Sequence, residues 1–473
     1  MRVRAQRTEI IVVALLLAAL LAKFFWPLVH FGVPLGYDAG IYRFLFLRHT
    51  EGFPPFAIAD VPPWARGHPL GLFFFSTILL KLGVPVDWLI GFLWNLFPVL
   101  LALTLAAVIA RRHGRTIGIL VLLAAFLSPV FYDGFAAMYW KTFLSLLFCV
   151  LTYDALEDKK WLPAAIFGVL TVASHHQTGL LFGLVLSSWY IVRMMRGEVR
   201  SREFRIVTLV GLVILGIGLL TYLPIWREAV SENMSALLSR PGASASGNFP
   251  PLSFYLRTSG LLLAVGVFGF FLSWKTEKGS LWQLSVLWCV LFVFLQLLFY
   301  RRFVLQLDFF LLPFAARGMQ DLWKHLRQPI VRMCLLILAL FQAYLSLSIL
   351  PMRVPIVDAV TFAGIRRMES IPRDTAVIDP ENNSAVMLRG WLPHTRLIAP
   401  GLFDSPWVYD QWQRFLLGSH DDRRMLLGSL NPPIVLFIAP YFHSFYGDRA
   451  DAFLADPCFH ASEDPLIVTI TCP

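Results

Sequence analysis

The chain has 473 residues, of which 57% are hydrophobic and only 15% are charged, and its mean hydropathy is +0.66. This composition is far too apolar for a soluble globular protein, so it excludes a cytosolic enzyme. The formal net charge is +10. In a membrane protein, however, the positions of Lys and Arg tell more than their sum, so the charge gives no support for nucleic-acid binding.

Apolar stretches of roughly membrane-spanning length occur from the amino terminus to residue 350, and about eleven of them are present. They cover residues 10–29, 88–110, 116–132, 138–153, 161–173, 178–194, 206–226, 254–274, 281–300, 303–319 and 330–350. The apolar stretch 72–82 is too short to span, and we predict that it forms an interfacial helix. The sequence therefore predicts a polytopic α-helical membrane protein with about eleven transmembrane helices.

Basic residues concentrate in alternate loops between these stretches. The basic loops contain Arg111, Arg112 and Arg115, Lys159 and Lys160, the run 193–205, Lys275 and Lys278, and Lys324 with Arg327. Cytoplasmic loops retain Lys and Arg. This pattern therefore predicts a cytoplasmic amino terminus and, with an odd number of spans, an extracytoplasmic carboxyl terminus.

The composition changes after residue 351. Short apolar runs (TAVID, RLIA, PIVLFIA and LIVTIT) alternate with amphipathic stretches such as residues 405–417. We therefore predict a membrane domain over 1–351, with a first outer loop over 31–87, and a small extracytoplasmic α/β domain over 352–473. Its sheet is predicted to be mostly parallel, with a closing hairpin around residues 459–470. Cys458 and Cys472 flank that hairpin, and both a disulfide and two free thiols are open.

Two Tyr-Asp pairs lie in loops that the topology places outside. GYDAGIYRF places Tyr37 and Asp38 directly after the first span, and FYDGF places Asp133 after the third. Asp38 is either a catalytic carboxylate or the N-cap of an amphipathic helix over residues 39–49. Asp133 is either a second catalytic carboxylate or part of an Asp-Gly turn.

Cationic and imidazole groups gather in the same set of loops. The turn SHHQTG contains His175 and His176, one of which we expect to be functional; both alternatively cap or pack a tight turn. Arg301 and Arg302 in YRRF break the positive-inside pattern, which indicates an anionic ligand such as a lipid phosphate, or side chains that snorkel to headgroups. Asp308 lies on the helical face of Arg301, as an ion-pair partner or orienting group.

Two further candidates have equally plain structural alternatives. Lys141 lies near the outer end of the fourth span, and His68 begins the motif HPLG, in which Pro69 suits the first turn of the interfacial helix. The sequence contains no nucleotide-binding loop, no H-E-x-x-H and no Cys-x-x-Cys, so we expect no tightly bound cofactor. A loosely bound Mg²⁺ or Mn²⁺ is the open alternative.

The ligands of such a loosely bound cation would be Asp38, Asp133 and a histidine, with His175 as the candidate.

These features together resemble the GT-C superfamily of glycosyltransferases, multi-spanning enzymes that use polyprenyl-phosphate sugars. Protein O-mannosyltransferases and the aminoarabinose transferases of lipid A are members. The matching features are Asp38 after the first span, the pair His68 and Pro69 before an interfacial helix, Asp133 in the second outer loop, and the carboxyl-terminal domain. The segment RRFVLQLDFFLLPFAARGM looks like the late spans in which an arginine meets the lipid phosphate, and RLIAPGLF looks like the small domain.

The resemblance implies inverting transfer of a sugar from a polyprenyl-phosphate donor to a hydroxyl of a glycan, lipid or protein. Asp38 would deprotonate the acceptor, and Arg301, Arg302 and Lys141 would stabilise the departing phosphate. The expected location is the prokaryotic plasma (inner) membrane. The loop 227–253, rich in Gly, Ser and Pro, is predicted to be mobile and to order over the donor.

Two other functions stay open at this stage: an enzyme of the O-antigen polymerase or ligase type, and a non-catalytic membrane protein that binds polyprenyl lipids. The substitution Asp38→Asn separates catalysis from binding, because a carrier tolerates this change.

Overall fold

The structure is a computed structural model, and it describes residues 2–52, 61–228, 231, 249–274, 276–325, 328–402, 405–430 and 433–472. Most of the loop that we predicted to order over the donor lies outside the described residues. The chain divides into two compact units. The first, here called the membrane unit, comprises Met1–Trp26, Gly67–Phe75 and Phe92–Arg353. The second, here called the sheet unit, comprises Pro27–Arg66, Ser76–Gly91 and Val354–Pro473.

Helices dominate the chain as far as residue 348. In chain order they are α1 (Arg2–Phe31), α2 (Ala39–Glu51), α3 (Gly71–Lys81), α4 (Val86–Trp88), α5 (Trp94–His113), α6 (Arg115–Leu127), α7 (Pro129–Ala136), α8 (Trp140–Glu157), α9 (Trp161–Ser174), α10 (His176–Met195), α11 (Arg202–Leu220), α12 (Leu252–Thr258), α13 (Gly260–Trp274), α14 (Leu281–Phe294), α15 (Tyr300–His325) and α16 (Pro329–Ser348). A π-helical turn over Leu89–Leu93 joins α4 to α5.

Five helical segments of the described chain are long and apolar enough to cross a membrane, and two bent helix pairs raise this number to seven. The five are Arg7–Phe31, Val86–His113, His176–Met195, Arg202–Leu220 and Pro329–Met352, and the pairs are α6 with α7 and α12 with α13. Helices cover each stretch that we predicted to span. The number eleven is not confirmed, because α9 and α14 have only 14 residues each.

Side-chain caps fix where several of these helices begin. The Ser128 hydroxyl accepts a hydrogen bond from the Phe131 amide at 2.9 Å, which starts α7 with Pro129 in its first turn. Ser201 starts α11 in the same way. Trp94 packs against α7. Its indole stacks on the Phe135 ring and donates a hydrogen bond to the Phe135 carbonyl. The helix that carries Asp133 is therefore held by both its cap and an aromatic contact.

The sheet unit contains a five-stranded sheet in the order β2-β1-β3-β5-β4. The strands are β1 (Ala376–Ile378), β2 (Arg396–Ile398), β3 (Ile434–Phe437), β4 (Phe459–Ala461) and β5 (Ile467–Ile470). β1 pairs in parallel with β2 and β3, whereas β5 pairs antiparallel with β3 and β4. The closing hairpin is thus confirmed, but the sheet is mixed rather than mostly parallel, because two of its four strand pairings are antiparallel. Cys458 and Cys472 form a disulfide.

Helices surround this sheet and build its core. They are α17 (Ala359–Arg367), α18 (Asn382–Trp391), α19 (Tyr409–Leu417), α20 (His420–Gly428), α21 (Pro440–Tyr446) and α22 (Asp448–Leu454). Ile378 and Leu436 of the strands pack with Trp412, Phe415 and Phe453 of the helices. α19 is shorter than the predicted stretch 405–417, because regular helix begins only at Tyr409.

Two glycines bring α2 and α18 into backbone contact within the sheet unit. A Cβ at Gly40 would lie 2.1 Å from the Val386 carbonyl oxygen, and a Cβ at Gly390 would lie 2.6 Å from the Gly40 carbonyl oxygen. Only glycine permits this approach. Arg43 reinforces the contact by donating to the Gly390 carbonyl at 2.6 Å. The helix that follows Asp38 is therefore fixed on α18.

Candidate functional site

Asp133 lies inside α7, not in the Asp-Gly turn that the sequence suggested. Its side chain is buried, and Arg353 donates to both of its oxygens, at 2.6 Å and 2.9 Å. The Tyr255 hydroxyl donates a further hydrogen bond at 2.7 Å. The hydrogen bonds to Asp133 raise the pKa of Arg353 above its ordinary value, although partial burial acts in the opposite direction. The carboxylate is thus held by two groups that the sequence analysis did not identify.

Asp308 does not pair with Arg301 in the described structure. Its Oδ2 accepts a hydrogen bond from Ser128 at 2.7 Å instead. Ser128 also accepts through its carbonyl from Lys23, whose ammonium donates to the Ser346 hydroxyl at 2.7 Å as well. The shared helical face therefore did not predict the partner of Asp308, because its hydrogen bond comes from the cap of α7 and not from its own helix.

Lys141 and His68 are brought together in the membrane unit. Their Nζ and Nδ1 atoms are 3.1 Å apart. His68 precedes α3, which begins at Gly71, so Pro69 lies before the helix and not in its first turn. A Cβ at Gly71 would lie 2.7 Å from the Ala173 carbonyl oxygen, so the start of α3 lies directly against the end of α9. Two separate sequence candidates thus form one contact.

The adjacent histidines have different roles in the structure. His175 is the N-cap of α10, and its Nδ1 accepts from the Thr178 amide at 3.3 Å. The capping alternative therefore holds for His175. His176 has both ring nitrogens buried without a hydrogen-bond partner among the described residues. Such unsatisfied buried groups are rare and indicate a ligand or a function, so His176 is the stronger site candidate of the two.

Arg301 and Arg302 occupy the first turn of α15. The guanidinium of Arg302 lies over the rings of Tyr139 and Phe299, at 5.7 Å and 5.0 Å from their centroids. In the described part of the chain, neither arginine has a carboxylate within ion-pair distance, and both Nε atoms are buried without a hydrogen bond. Arg112, in contrast, lies within ion-pair distance of three carboxylates.

The basic groups of the membrane unit share one environment. The positive charges of Lys141 and Arg302 both act on His175 and His176. We refer to His68, Lys141, His176 and Arg302 as the cationic cluster. Lys141, His176 and Arg302 each lie in the first turn of a helix, namely α8, α10 and α15. Helix amino termini carry unsatisfied N–H groups and partial positive charge, so this arrangement is suited to an anion.

An apolar cavity of about 890 Å³ lies beside the cluster in the membrane unit. Residues of α9, α10 and α11 line it, including Val172, Leu180 and Leu215, and His176 lies in its wall. Because one residue belongs to both features, the cationic cluster and the apolar cavity adjoin. Together they can hold a molecule with an anionic head and an apolar tail.

Tyr37 and Asp38 belong to the sheet unit. Asp38 stands directly before α2, but its side chain makes no capping hydrogen bond to that helix. The capping alternative for Asp38 is therefore wrong. The Tyr37 hydroxyl donates to the Asn382 side-chain oxygen at 2.9 Å. Partial burial raises the pKa of Tyr37, and the nearby charge of Asp38 acts in the same direction. The hydrogen bond to Asn382 acts in the opposite direction.

Protein groups already engage two members of the predicted cation set of Asp38, Asp133 and His175. Both oxygens of Asp133 are bonded to a guanidinium, and Nδ1 of His175 is occupied by Thr178. His420, Asp456 and Cys458 also lie within ligand distance of one another. However, Cys458 is in the disulfide and Asp456 is paired with Arg423, so these residues do not fit a metal ion.

No protein-family model matches the sequence, and a search of curated proteins finds no match. The structure is similar to the oligosaccharyltransferase of Archaeoglobus fulgidus solved with Zn and sulfate, with a TM-score of 0.62 and 13% identity over 96% of this chain and 70% of that chain. It is also similar to ArnT from Cupriavidus metallidurans in the apo state, with a TM-score of 0.63 and 11% identity over 99% and 98% of the two chains.

The structure of ArnT bound to undecaprenyl phosphate gives a TM-score of 0.60 and 12% identity, and the match covers 97% of each chain. At these identities the likeness shows the fold. Both neighbours are GT-C glycosyltransferases. The resemblance that the sequence suggested is therefore confirmed at the level of the fold: this chain is a helical membrane protein with the fold of the GT-C glycosyltransferases.

Proposed function

We propose that the protein is an inverting glycosyltransferase that moves a sugar from a polyprenyl-phosphate donor to a hydroxyl acceptor on the extracytoplasmic side of the membrane. One observation carries this proposal: His176, whose ring nitrogens are buried without a hydrogen-bond partner among the described residues, lies in the wall of the apolar cavity. A polyprenyl phosphate has the matching chemistry, with an apolar chain for the cavity and a phosphate for the cationic cluster. The ArnT structure with undecaprenyl phosphate supports this donor class.

The reaction we propose is a single displacement. Asp38 accepts the proton of the acceptor hydroxyl, whose oxygen attacks the anomeric carbon while the bond from that carbon to the phosphate oxygen breaks. The sugar is transferred with inversion, and polyprenyl phosphate leaves with the bonding electron pair. Lys141, Arg302 and the adjacent Arg301 stabilise the charge that develops on the phosphate.

We assign the two predicted catalytic carboxylates to different tasks. Asp38 lies half-buried directly before α2, next to Tyr37, and the resemblance to the GT-C enzymes assigns the base to the carboxylate after the first span. Both oxygens of Asp133 accept hydrogen bonds from Arg353, and Oδ2 also accepts one from Tyr255, so the carboxylate is already engaged by protein groups. Asp133 is therefore a positioning residue in this proposal, and Asp38 is the base.

The location that we propose is a prokaryotic plasma membrane, with the amino terminus in the cytoplasm. Arg112 and Arg193, on loops predicted to be cytoplasmic, are ion-paired with nearby carboxylates. Arg302, on a loop predicted to be outside, has no carboxylate within ion-pair distance among the described residues, so its charge can pair with a ligand. The contrast supports a phosphate site at the extracytoplasmic end of the membrane unit.

The test is turnover of a panel of radiolabelled polyprenyl-phosphate hexoses and pentoses by the purified protein in host membranes, which supply the acceptor. We expect wild type to release polyprenyl phosphate from one donor. Asp38→Asn should abolish release while donor binding persists, and the exposed control Asp374→Asn should leave both unchanged. Donor binding that depends on Arg302, without turnover in wild type, would favour a non-catalytic lipid-binding protein. Neither binding nor turnover would favour the polymerase or ligase class.

A further inference from the structure

A second cavity lies in the sheet unit, at the carboxyl ends of its parallel strands. It has a volume of about 250 Å³ and is lined by residues that follow β1 (Glu381 and Asn382), β2 (Pro400) and β3 (Tyr441 and Phe445). The chain runs from β1 to β2 on one side and then to β3 on the other. The strand order therefore reverses at β1, and in open α/β sheets ligands bind in the crevice at such a point.

The lining of this cavity combines aromatic rings with carboxylate and amide groups. The rings of Tyr441 and Phe445 stack with centroids 5.9 Å apart, and both side chains are more than half exposed. The polar part of the lining consists of the carboxylate of Glu381 and the amides of Asn382 and Asn383. Sugars present hydroxyl groups, which carboxylates and amides bind, and C–H faces, which pack on aromatic rings. A saccharide matches both parts of this lining.

Unsatisfied polar atoms beside the cavity give independent support for a ligand. Oε2 of Glu381 is buried and has no hydrogen-bond partner among the described residues. Asp379, two residues earlier, is completely buried, and its Oδ2 also lacks a partner in the described chain. A buried acceptor without a donor is costly, and a hydroxyl of a bound ligand would satisfy the Glu381 oxygen.

The cavity is connected to the proposed base within the sheet unit. Asn382 lines the cavity and accepts a hydrogen bond from Tyr37, the residue directly before Asp38. The backbone contact of Gly40 with α18 fixes the residues on the other side of Asp38. The structure therefore holds Asp38 in a fixed relation to this cavity.

We propose that this cavity binds a saccharide of the acceptor substrate, which rests on the glycosyltransferase function proposed above. Glu381 and Asn382 bind its hydroxyl groups, and Tyr441 and Phe445 pack on its apolar face. The acceptor is accordingly a glycan or glycolipid rather than a peptide.

The experiment uses the full-length protein in lipid nanodiscs and saturation-transfer NMR with methyl glycosides of gluco, galacto, manno and rhamno configuration. We expect at least one glycoside to bind wild type. Phe445→Ala and Glu381→Gln should each weaken its binding by about tenfold, the loss expected for one contact of a charged or aromatic group. The exposed residues Tyr409 and Glu463 provide matched controls, because Tyr409→Ala and Glu463→Gln lie outside the cavity and should leave binding unchanged.

Polyprenyl-phosphate binding by the same variants separates this proposal from the donor function. Retained donor binding with no glycoside bound to wild type, or with glycoside binding insensitive to Phe445 and Glu381, would overturn the saccharide site alone. Glycoside binding that is lost in the two variants, with no polyprenyl-phosphate binding by wild type, would support the saccharide site and remove the donor proposal. Displacement of the glycoside by an Asn-containing acceptor peptide would assign the cavity to peptide and overturn the saccharide proposal.

Discussion

The carboxylate of Asp133 accepts two hydrogen bonds from Arg353, from Nε to Oδ1 at 2.6 Å and from Nη2 to Oδ2 at 2.9 Å. The pair ties α7 to the residue that directly follows the 3₁₀ turn after α16, and Tyr255 adds a bond from α12. Three segments far apart in the sequence therefore meet at one buried carboxylate.

Removal of one partner of this pair should destabilise the membrane unit. Arg353→Met leaves a buried carboxylate without its cation, and we expect a loss of about 3 kcal/mol in the free energy of unfolding. The double variant with Asp133→Asn should recover part of this loss. Thermal unfolding in detergent measures both. If Asp133→Asn abolishes turnover at temperatures where the protein stays folded and binds donor, the positioning role is wrong and Asp133 acts in the chemistry.

Arg302 and Arg112 should respond in opposite ways to the same substitution. Arg302→Gln should weaken polyprenyl-phosphate binding by about tenfold, because one charge-assisted contact to phosphate is lost, with little change in stability. Arg112→Gln should lower stability and leave donor affinity intact, because Arg112 is paired with Asp154, Glu157 and Asp158. Titration with the lipid and thermal unfolding test the contrast. Equal effects on affinity would place the phosphate elsewhere.

Gly40→Ala should lower turnover without affecting donor affinity. The new Cβ would lie 2.1 Å from the Val386 carbonyl oxygen, so α2 has to move away from α18 and carry Asp38 with it. Gly216→Ala in α11 is the matched control, since nothing lies within 4 Å of a Cβ there, and alanine favours helix by about 1 kcal/mol over glycine. Unchanged turnover in Gly40→Ala would show that the position of Asp38 is unimportant.

Reduction of the disulfide should destabilise the sheet unit. Cys458 and Cys472 close a loop with a sequence separation of 14 residues, and a loop of this length is worth about 3 kcal/mol. Unfolding of wild type with and without dithiothreitol measures this, and the double variant Cys458→Ala and Cys472→Ala should be insensitive to the reductant. A wild type that melts identically in both conditions would contradict the prediction.

Glu381 should make stability depend on pH. Burial, opposed by Ser384 and assisted by Asp358, raises the pKa of Glu381 from 4.5 to about 7. A raised carboxyl pKa contributes stability that is complete below the unfolded value and is lost as the pH rises through the folded value. Between pH 4.5 and 7 the wild type should therefore lose stability relative to Glu381→Gln. If the melting temperatures of the two proteins change equally between pH 4.5 and pH 7, the raised pKa of Glu381 is wrong. Asp379 has its pKa raised in the same direction by burial, and both proteins retain it.

The local elements of this fold follow from the sequence because their signals are local. Apolar stretches mark the helices, and short β-rich runs between Gly, Pro and Asp mark the sheet with its hairpin and disulfide. What the sequence did not reveal are partners brought together over long separations. Arg353 binds Asp133 across 220 residues, and Lys23 binds Ser346 across 323.

One signal for Arg353 was present in the sequence. Arg353 is a cation directly after the last apolar stretch, and the charge pattern places it on the outer side, where arginine is rare. Arg301 and Arg302 are on the same side. No comparable signal marks the contact of Tyr37 with Asn382, because an exposed tyrosine and an asparagine in a helix start have many ordinary roles. Asp133 was misplaced because an Asp-Gly pair is typical of turns, whereas here Ser128 and Pro129 start a helix that includes it.

The contact of Gly40 with α18 also has a consequence for how such a protein diversifies. Recombination that exchanges only residues 354–473 between relatives would place a foreign helix against Gly40, and a side chain in place of Gly390 would collide with the Gly40 backbone. Residues 27–52 and 354–473 therefore have to be exchanged together to keep this contact, although residues 53–353 separate them in the sequence.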